Sequence, residues 1–278
     1  MFNAIGLYHY KWGRDVTIGR VEKDNTMDMD FLERVEEAAL NAWPAPKQVL
    51  YDGWLLRFAD GYTKRANSVN IRYRSKYPFV PKIDYCERLY VHQGQPTLFR
   101  TPEPFSSPKL LRALREGGYI SFDPTLVLGR ALSDSEGLTH GLIAKELSLN
   151  AWIRLRSALT GTPVKDWEMH RKILECIAPE KTLVGLYAGG QPAACGMAVV
   201  EGALLGFFSI YTQSEQRRRG YGRMMMTALT HWGLAHSANY GYLQVEADNQ
   251  SALAMYAKLG FERLYEYTYW KKMDGNTK

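Results

Sequence analysis

The chain has 278 residues, 46% hydrophobic, 13% aromatic and 23% charged, with 35 basic against 29 acidic side chains and a net charge of +6. Such a composition excludes an intrinsically disordered chain, and the length suits one large domain or two small ones. The basic balance points to an anionic partner without naming it.

Residues 1–27 are aromatic and irregular, with Lys11 and Arg14 among Tyr8, Tyr10 and Trp12. No sustained apolar run marks a signal peptide there. From Met29 to Asn41, Phe31, Leu32, Val35, Ala38 and Ala39 recur at helical spacing until Pro44 and Pro46 end the element. Asp52–Ala59 and Ser68–Tyr73 are expected as strands, separated by the turn Ala59-Asp60-Gly61. Ile83–His92 follows as a helix and Pro96–Arg100 as a strand. Ser107 and Pro108 then open a helix with favoured N-cap and first-turn residues, which stops at Gly117-Gly118 before the strand Tyr119–Leu128.

The polar stretch Arg130–Gly141 is the expected linker. Two helices, Leu142–Leu159 and Val164–Ile177, lead to the longest uncharged stretch, Thr182–Val200. Ala188-Gly189-Gly190-Gln191-Pro192 breaks that stretch in the middle, so it reads as a β-hairpin and not as a membrane span. A strand (Leu204–Tyr211), a helix (Tyr221 to about Ser237), a strand (Tyr242–Ala247), a short helix (Gln250–Leu259) and a strand (Arg263–Lys271) complete the chain. Alternating strands and helices make this an α/β protein. Helix, Gly118-Tyr119, strand in the first half parallels helix, Gly260-Phe261, strand in the second, which favours a duplication. Cys86, Cys176 and Cys195 are scattered and odd in number, so neither a disulfide framework nor a metal site is expected, and the compartment is a reducing cytoplasm.

The segment Gln216-Arg217-Arg218-Arg219-Gly220-Tyr221-Gly222-Arg223 lies between a strand and an apolar helix. Glycines let the backbone approach a ligand, the first helical turn offers free N–H groups, and arginines add charge and forked donors, so a phosphate-binding loop is expected. The third glycine of a dinucleotide fingerprint and the Lys-Ser/Thr pair of a Walker loop are both absent. A nucleic-acid patch is the competing reading of the triple arginine.

Arg217-x-x-Gly220-x-Gly222 resembles the coenzyme A pyrophosphate signature of the GCN5-related N-acetyltransferases. Leu243-Gln244-Val245-Glu246 followed by Asn249, Ala252, Tyr256 and Leu259-Gly260-Phe261 resembles that family's second signature. The match covers about residues 134–273, and Asp52–Arg57 with Arg65–Val69 resembles the first half of acetyltransferases built from two such folds. The resemblance implies a tandem acyl-CoA N-acyltransferase fold with a mixed sheet flanked by helices in each half. It divides the chain into an extension (1–27), a degenerate half (28–130) that has lost its cofactor site, and a catalytic half (131–278).

Acetyl-CoA is the implied co-substrate, with no metal, no nucleic acid and no membrane partner. The acceptor is a primary amine of a small molecule, or alternatively a protein N-terminus or lysine. A non-catalytic acyl-CoA-binding module is the rival from another class. By resemblance Tyr256 is the general acid. Arg217, Arg218, Arg219, Gly220, Tyr221, Gly222 and Arg223 hold the pyrophosphate, and Tyr211, Thr212 and Asn249 meet the pantetheine arm. The family's glutamate twelve residues before the tyrosine is here Gln244, which cannot accept a proton, so Glu246 on the same strand face or a water relay is left as base. Trp54, Arg57, Arg65 and Asn67 are candidates for an acceptor wall, with internal packing as the other reading.

Overall fold

The computed structural model describes residues 28–133 and 142–273. The expected extension over 1–27 lies outside the described residues, as does the linker beyond Ser133. Arg130 and Ala131, at the linker's start, still belong to a strand.

The first half runs α1 (Met29–Asn41), β1 (Lys47–Tyr51), β2 (Trp54–Phe58), β3 (Val69–Ile71), α2 (Phe79–His92), β4 (Leu98–Pro102), α3 (Pro108–Glu116) and β5 (Tyr119–Ala131). The second runs β6 (Leu142–Glu146), α4 (Leu149–Thr160), α5 (Glu168–Glu175), β7 (Glu180–Ala188), β8 (Gln191–Glu201), β9 (Leu204–Thr212), α6 (Tyr221–Ala235), β10 (Tyr240–Glu246), α7 (Gln250–Lys258) and β11 (Glu262–Lys272). Local chemistry accounts for most of these boundaries. Asp28 caps α1, and the Ser107 hydroxyl accepts the Leu110 N–H at 3.2 Å ahead of Pro108.

Two expectations are corrected. The single strand expected over Asp52–Ala59 is the second arm of a hairpin, because Asp52 and Gly53 take positive φ (42° and 81°) and form its turn. A Cβ on Gly53 would lie 2.7 Å from the Tyr73 carbonyl oxygen, so the close approach also requires glycine. The helix expected over Leu142–Leu159 starts only at Leu149, behind Ser148. Leu142–Glu146 instead pair antiparallel with β7, whose open edge decides the conformation against local spacing.

All the strands form one sheet in the order β1-β2-β3-β4-β11-β5-β10-β9-β8-β7-β6. Both halves repeat hairpin, strand, helix, strand, helix, strand, and in each the third and fourth of these strands pair in parallel (β3 with β4, β9 with β10). The last strands are exchanged. β11 from the second half lies beside β4, and β5 from the first half lies beside β10. Helices α1, α4 and α5 pack one core with Tyr265, Tyr267 and Tyr269, while α6 and α7 pack another with Leu205, Phe207, Leu243 and Val245. A third core joins α2 and α3 to β2–β4 and to Trp270 of the exchanged strand.

Candidate active site

β9 begins as a regular strand and then leaves its neighbour. Against β8, Met197 faces Phe208 while Cys195 faces Tyr211, and the extra residue is absorbed by Ser209 at φ 53°. Parallel pairing with β10 ends at Leu243 and Phe207, yet β10 continues along β5 to Glu246. The bulge is held from behind by Arg156, whose Nη1 donates to the Ser209 carbonyl at 2.8 Å and whose guanidinium lies over the Trp152, Trp167 and Tyr211 rings. A cleft of about 560 Å³ opens at this divergence, lined by Phe207–Ile210, Gln244–Glu246, Asn249, Ala252 and Tyr256 from the second half. The strand residues that reach it are therefore Phe207–Ile210, while Tyr211 and Thr212 carry the chain on towards the loop.

That loop makes a short turn over Ser214–Gln216, after which Arg217 Nε donates to the Thr212 carbonyl at 3.4 Å. Arg218 takes φ 61° and Gly220 φ 81°, and Gly220 caps α6 with no side chain closing its first turn. Among the described residues, the N–H groups of Tyr221 and Gly222 donate to no protein acceptor. A Cβ on Gly222 would stand 2.9 Å from Met255 Sδ, so the start of α6 and α7 meet closely there. Arg217, Arg218, Arg219 and Arg223 are exposed around this helix end. Free donors, the helix dipole and four cations together favour an anion at this helix end.

Tyr256 projects from α7 into the cleft with 9% of its surface exposed, against Phe261 at 5.9 Å between ring centroids. Burial pushes its phenol up to about 12, so it is protonated at neutral pH. Asn249 caps α7, its Oδ1 accepting from the Ala252 N–H at 3.2 Å. Glu246 is exposed at the end of β10, and Gln244 lies two residues earlier on the same face, its Oε1 accepting from the Tyr267 hydroxyl at 3.0 Å.

The opposite wall comes from Trp43, Thr63, Lys64, Arg65 and Thr125 of the first half and from Tyr267 and Tyr269 of the exchanged strand. Of the four candidates for the acceptor wall, Arg65 lines the cleft, and the other three take the internal packing that was the other reading. Trp54 is fully buried between Phe79 and Phe99. Arg57 is a buried clamp, donating to the carbonyls of Leu40, Trp43 and Arg65, and burial pushes it down to about 9. Asn67 closes the Ala59–Gly61 turn, accepting N–H bonds from Ala59 and Gly61.

Trp43, Lys64, Tyr267, Tyr269 and Arg156 were not singled out from sequence. The alternation Tyr265-x-Tyr267-x-Tyr269 is a signal for one aromatic strand face, but nothing local says which cleft it meets. His170 was also missed. It sits among Trp43, Trp152 and Trp167 with Nδ1 2.8 Å from the Tyr62 hydroxyl, and burial followed by Arg156 pushes it down to about 3, so it is neutral. His236 stacks on Trp232 at the far end of α6, away from the cleft. Among the described residues, no group of three His, Cys, Asp or Glu gathers to hold a metal, and no helix is long and apolar enough to cross a membrane.

A family model described as the C-terminal part of the probable histone acetyltransferase Rv0428c matches residues 32–270. The uncharacterized N-acetyltransferase YobR of Bacillus subtilis (strain 168) is 30% identical over 252 residues, covering 87% of this chain and 98% of the relative. A solved GCN5-related N-acetyltransferase from Kribbella flavida has a TM-score of 0.65 at 16% identity over 87% of this chain and 96% of its own. A tandem GNAT protein from the clavulanic acid biosynthesis pathway has a TM-score of 0.64 at 12% identity over 91% and 90%. The two solved structures carry likeness of fold alone.

Proposed function

Because the chain belongs to the GCN5-related N-acetyltransferase family, with a tandem fold, and is an N-acetyltransferase of that type, we propose that it moves an acetyl group from acetyl-CoA to a primary amine of a small molecule. One observation carries this reading. The gap between β9 and β10 and the buried phenol of Tyr256 open on one cleft, and α7, which lines that cleft, meets the uncapped arginine-rich start of α6 at Gly222.

In this reading Arg217, Arg218, Arg219 and Arg223 with the backbone of Gly220, Tyr221 and Gly222 hold the pyrophosphate. The backbone freed after Phe207 and the cap Asn249 take the pantetheine arm, with Tyr211 and Thr212 leading into the loop. Tyr256, which carries its proton at neutral pH, gives it to the sulfur as the carbon–sulfur bond breaks, and solvent restores the phenol. Glu246 takes the amine's proton, directly or through water. A peptide amine is the second reading, favoured by the description of the matching family.

The first half supports a single cofactor site per chain. Residues 72–78 lead into α2 as residues 213–220 lead into α6, and a cleft of about 630 Å³ opens beside them. There the Asp52 carboxylate already accepts the Lys76 and Tyr77 N–H groups at 3.0 Å and pairs with buried Lys82 at 3.0 Å. Pro78 and Pro81 have no N–H to give. Ser107 stands where Asn249 does, and Leu114, seven residues on, where Tyr256 does. A side-chain anion fills the place of a phosphate, and the acid is missing.

Calorimetric titration with acetyl-CoA tests the proposal. Micromolar binding at one site per chain, lost in Arg219→Glu and Gly220→Asp, is expected. No binding overturns the cofactor assignment, and two sites overturn the silent first half.

A further inference from the structure

Two charged side chains line the active-site cleft from opposite walls, and neither has an ionic partner among the described residues. Arg65, on the turn Lys64–Ala66 of the first half, lays its guanidinium 5.9 Å from the ring centroids of Trp43 and Phe208, and its Nε is buried without a hydrogen-bond partner. Glu246, ending β10, is exposed, and among the described residues its carboxylate neither accepts a hydrogen bond nor pairs with a cation. The other charges around the cleft cancel locally. Lys64 pairs with Asp123, and Arg100, beneath Tyr267, pairs with Glu36. What remains is one positive and one negative group across a cavity of about 560 Å³ with aromatic walls.

A partly buried guanidinium flanked by two ring faces presents its fork to planar oxyanions, and a carboxylate is the group it matches in shape and charge. An exposed carboxylate on the far wall matches an ammonium. The pair is therefore complementary to a zwitterion. A peptide N-terminus or a lysine side chain of a protein brings the amine but no carboxylate beside it.

Resting on the acetyltransferase reading, we propose that the acceptor is an amine that also carries a carboxylate, a free amino acid or a close analogue, with Arg65 holding the carboxylate and Glu246 receiving the amine. The ammonium loses one proton through Glu246 to solvent. Its nitrogen bonds the acetyl carbon, the carbon–sulfur bond breaks, and sulfur takes the proton of Tyr256. The second nitrogen proton leaves, an equivalent one restores the phenol, and the products are an N-acetyl amino acid and coenzyme A. Trp43, Phe208, Tyr267 and Tyr269 favour acceptors with apolar or aromatic side chains.

Matched pairs test this, with coenzyme A release as readout: phenylalanine against phenethylamine, leucine against 3-methylbutylamine, lysine against cadaverine. O-phosphoethanolamine and a C-terminally amidated peptide complete the panel. The carboxylate-bearing member of at least one pair is expected to show kcat/KM about 100-fold above its partner. Arg65→Met is expected to erase that preference by raising acceptor KM, with acetyl-CoA affinity and Tm unchanged, and Arg65→Lys to restore part of it. Equal use of both members, preference for the phosphate or the amidated peptide, a preference that survives Arg65→Met, or no turnover by a chain that binds acetyl-CoA each overturns the inference. Failure to bind acetyl-CoA is a different result, overturning the cofactor assignment beneath it and this inference with it.

Discussion

Tyr267 on β11 donates its hydroxyl to Oε1 of Gln244 on β10 across 3.0 Å, although β5 lies between the two strands. The bond ties the exchanged strand to the wall of the cleft. Burial raises the Tyr267 phenol, but Arg65 and Arg100 outweigh it and hold the group below the usual tyrosine range, and the Arg100 guanidinium lies 3.7 Å from the ring centroid. Tyr267→Phe is expected to lower kcat/KM for the acceptor by about tenfold, the equivalent of one hydrogen bond, with acetyl-CoA affinity unchanged. Equal losses in both would show that the bond only supports the fold.

Tyr256→Phe tests the acid. Positioned proton transfer contributes about 10²-fold or more, and the substitution removes one oxygen from a packed ring. We expect kcat to fall by about 10² while acetyl-CoA affinity changes less than about twofold. With the phenol at about 12, its ionisation should not limit the wild-type rate anywhere between pH 7 and about 10. An unchanged kcat would remove Tyr256 from the mechanism.

Beneath the cleft, Glu36 and Arg100 form a fully buried ion pair, joined by the Tyr265 hydroxyl at 2.6 Å from Glu36 Oε2. Burial raises the Glu36 carboxyl, but Arg100, the Tyr265 bond and Arg72 bring it below the ordinary value of 4.5. A depressed carboxyl contributes stability that is complete above its unfolded pKa and is lost as pH falls through the folded one. Wild-type Tm should therefore decline as pH drops below about 4.5. Glu36→Gln leaves a buried guanidinium uncompensated and should cost about 3–5 kcal/mol at neutral pH, with a flatter acid limb, in thermal or urea unfolding.

Gly222→Ala separates cradle from charge. The added methyl would stand 2.9 Å from Met255 Sδ, so that side chain must give way, and it belongs to α7, which carries Tyr256 behind the Asn249 cap. A loss of acetyl-CoA affinity of about tenfold or more with all four arginines intact is expected by calorimetry. Unchanged affinity would show that the helix contact does not shape the site.

The second half was legible because its signals are local: the Asn249 cap, the Gly189-Gly190 turn, and the arginine-glycine loop all act within a few residues. The first half's part in the cleft was not. Arg57 looks like a wall residue in a strand, yet the carbonyls of Leu40 and Trp43 make a place for it inside. Arg65, eight residues later, lacks such acceptors and faces the cleft. Leu142–Glu146 reads as helix by spacing and becomes a strand because β7 offers an edge. Which strand lies beside which is a property of distant pairing, and so the Tyr267–Gln244 contact is invisible locally.

The exchange of β5 and β11 makes the halves one folding unit. Residues 142–278 without β5 would leave Leu243–Glu246 unpaired on the side where Leu128–Thr125 now sit, and β11 would lose both neighbours, β4 and β5. An open edge carrying Gln244 and Glu246 can neither hold the cleft nor stay free of aggregation. Residues 28–133 alone lose β11, and with it Trp270, which is 4% exposed in their core. Expressed separately, each fragment is expected to be insoluble or unfolded by circular dichroism, and co-expression should recover acetyl-CoA binding. A fragment of 142–278 that folds by itself and binds acetyl-CoA with wild-type affinity would show that the exchanged strand is dispensable to the site.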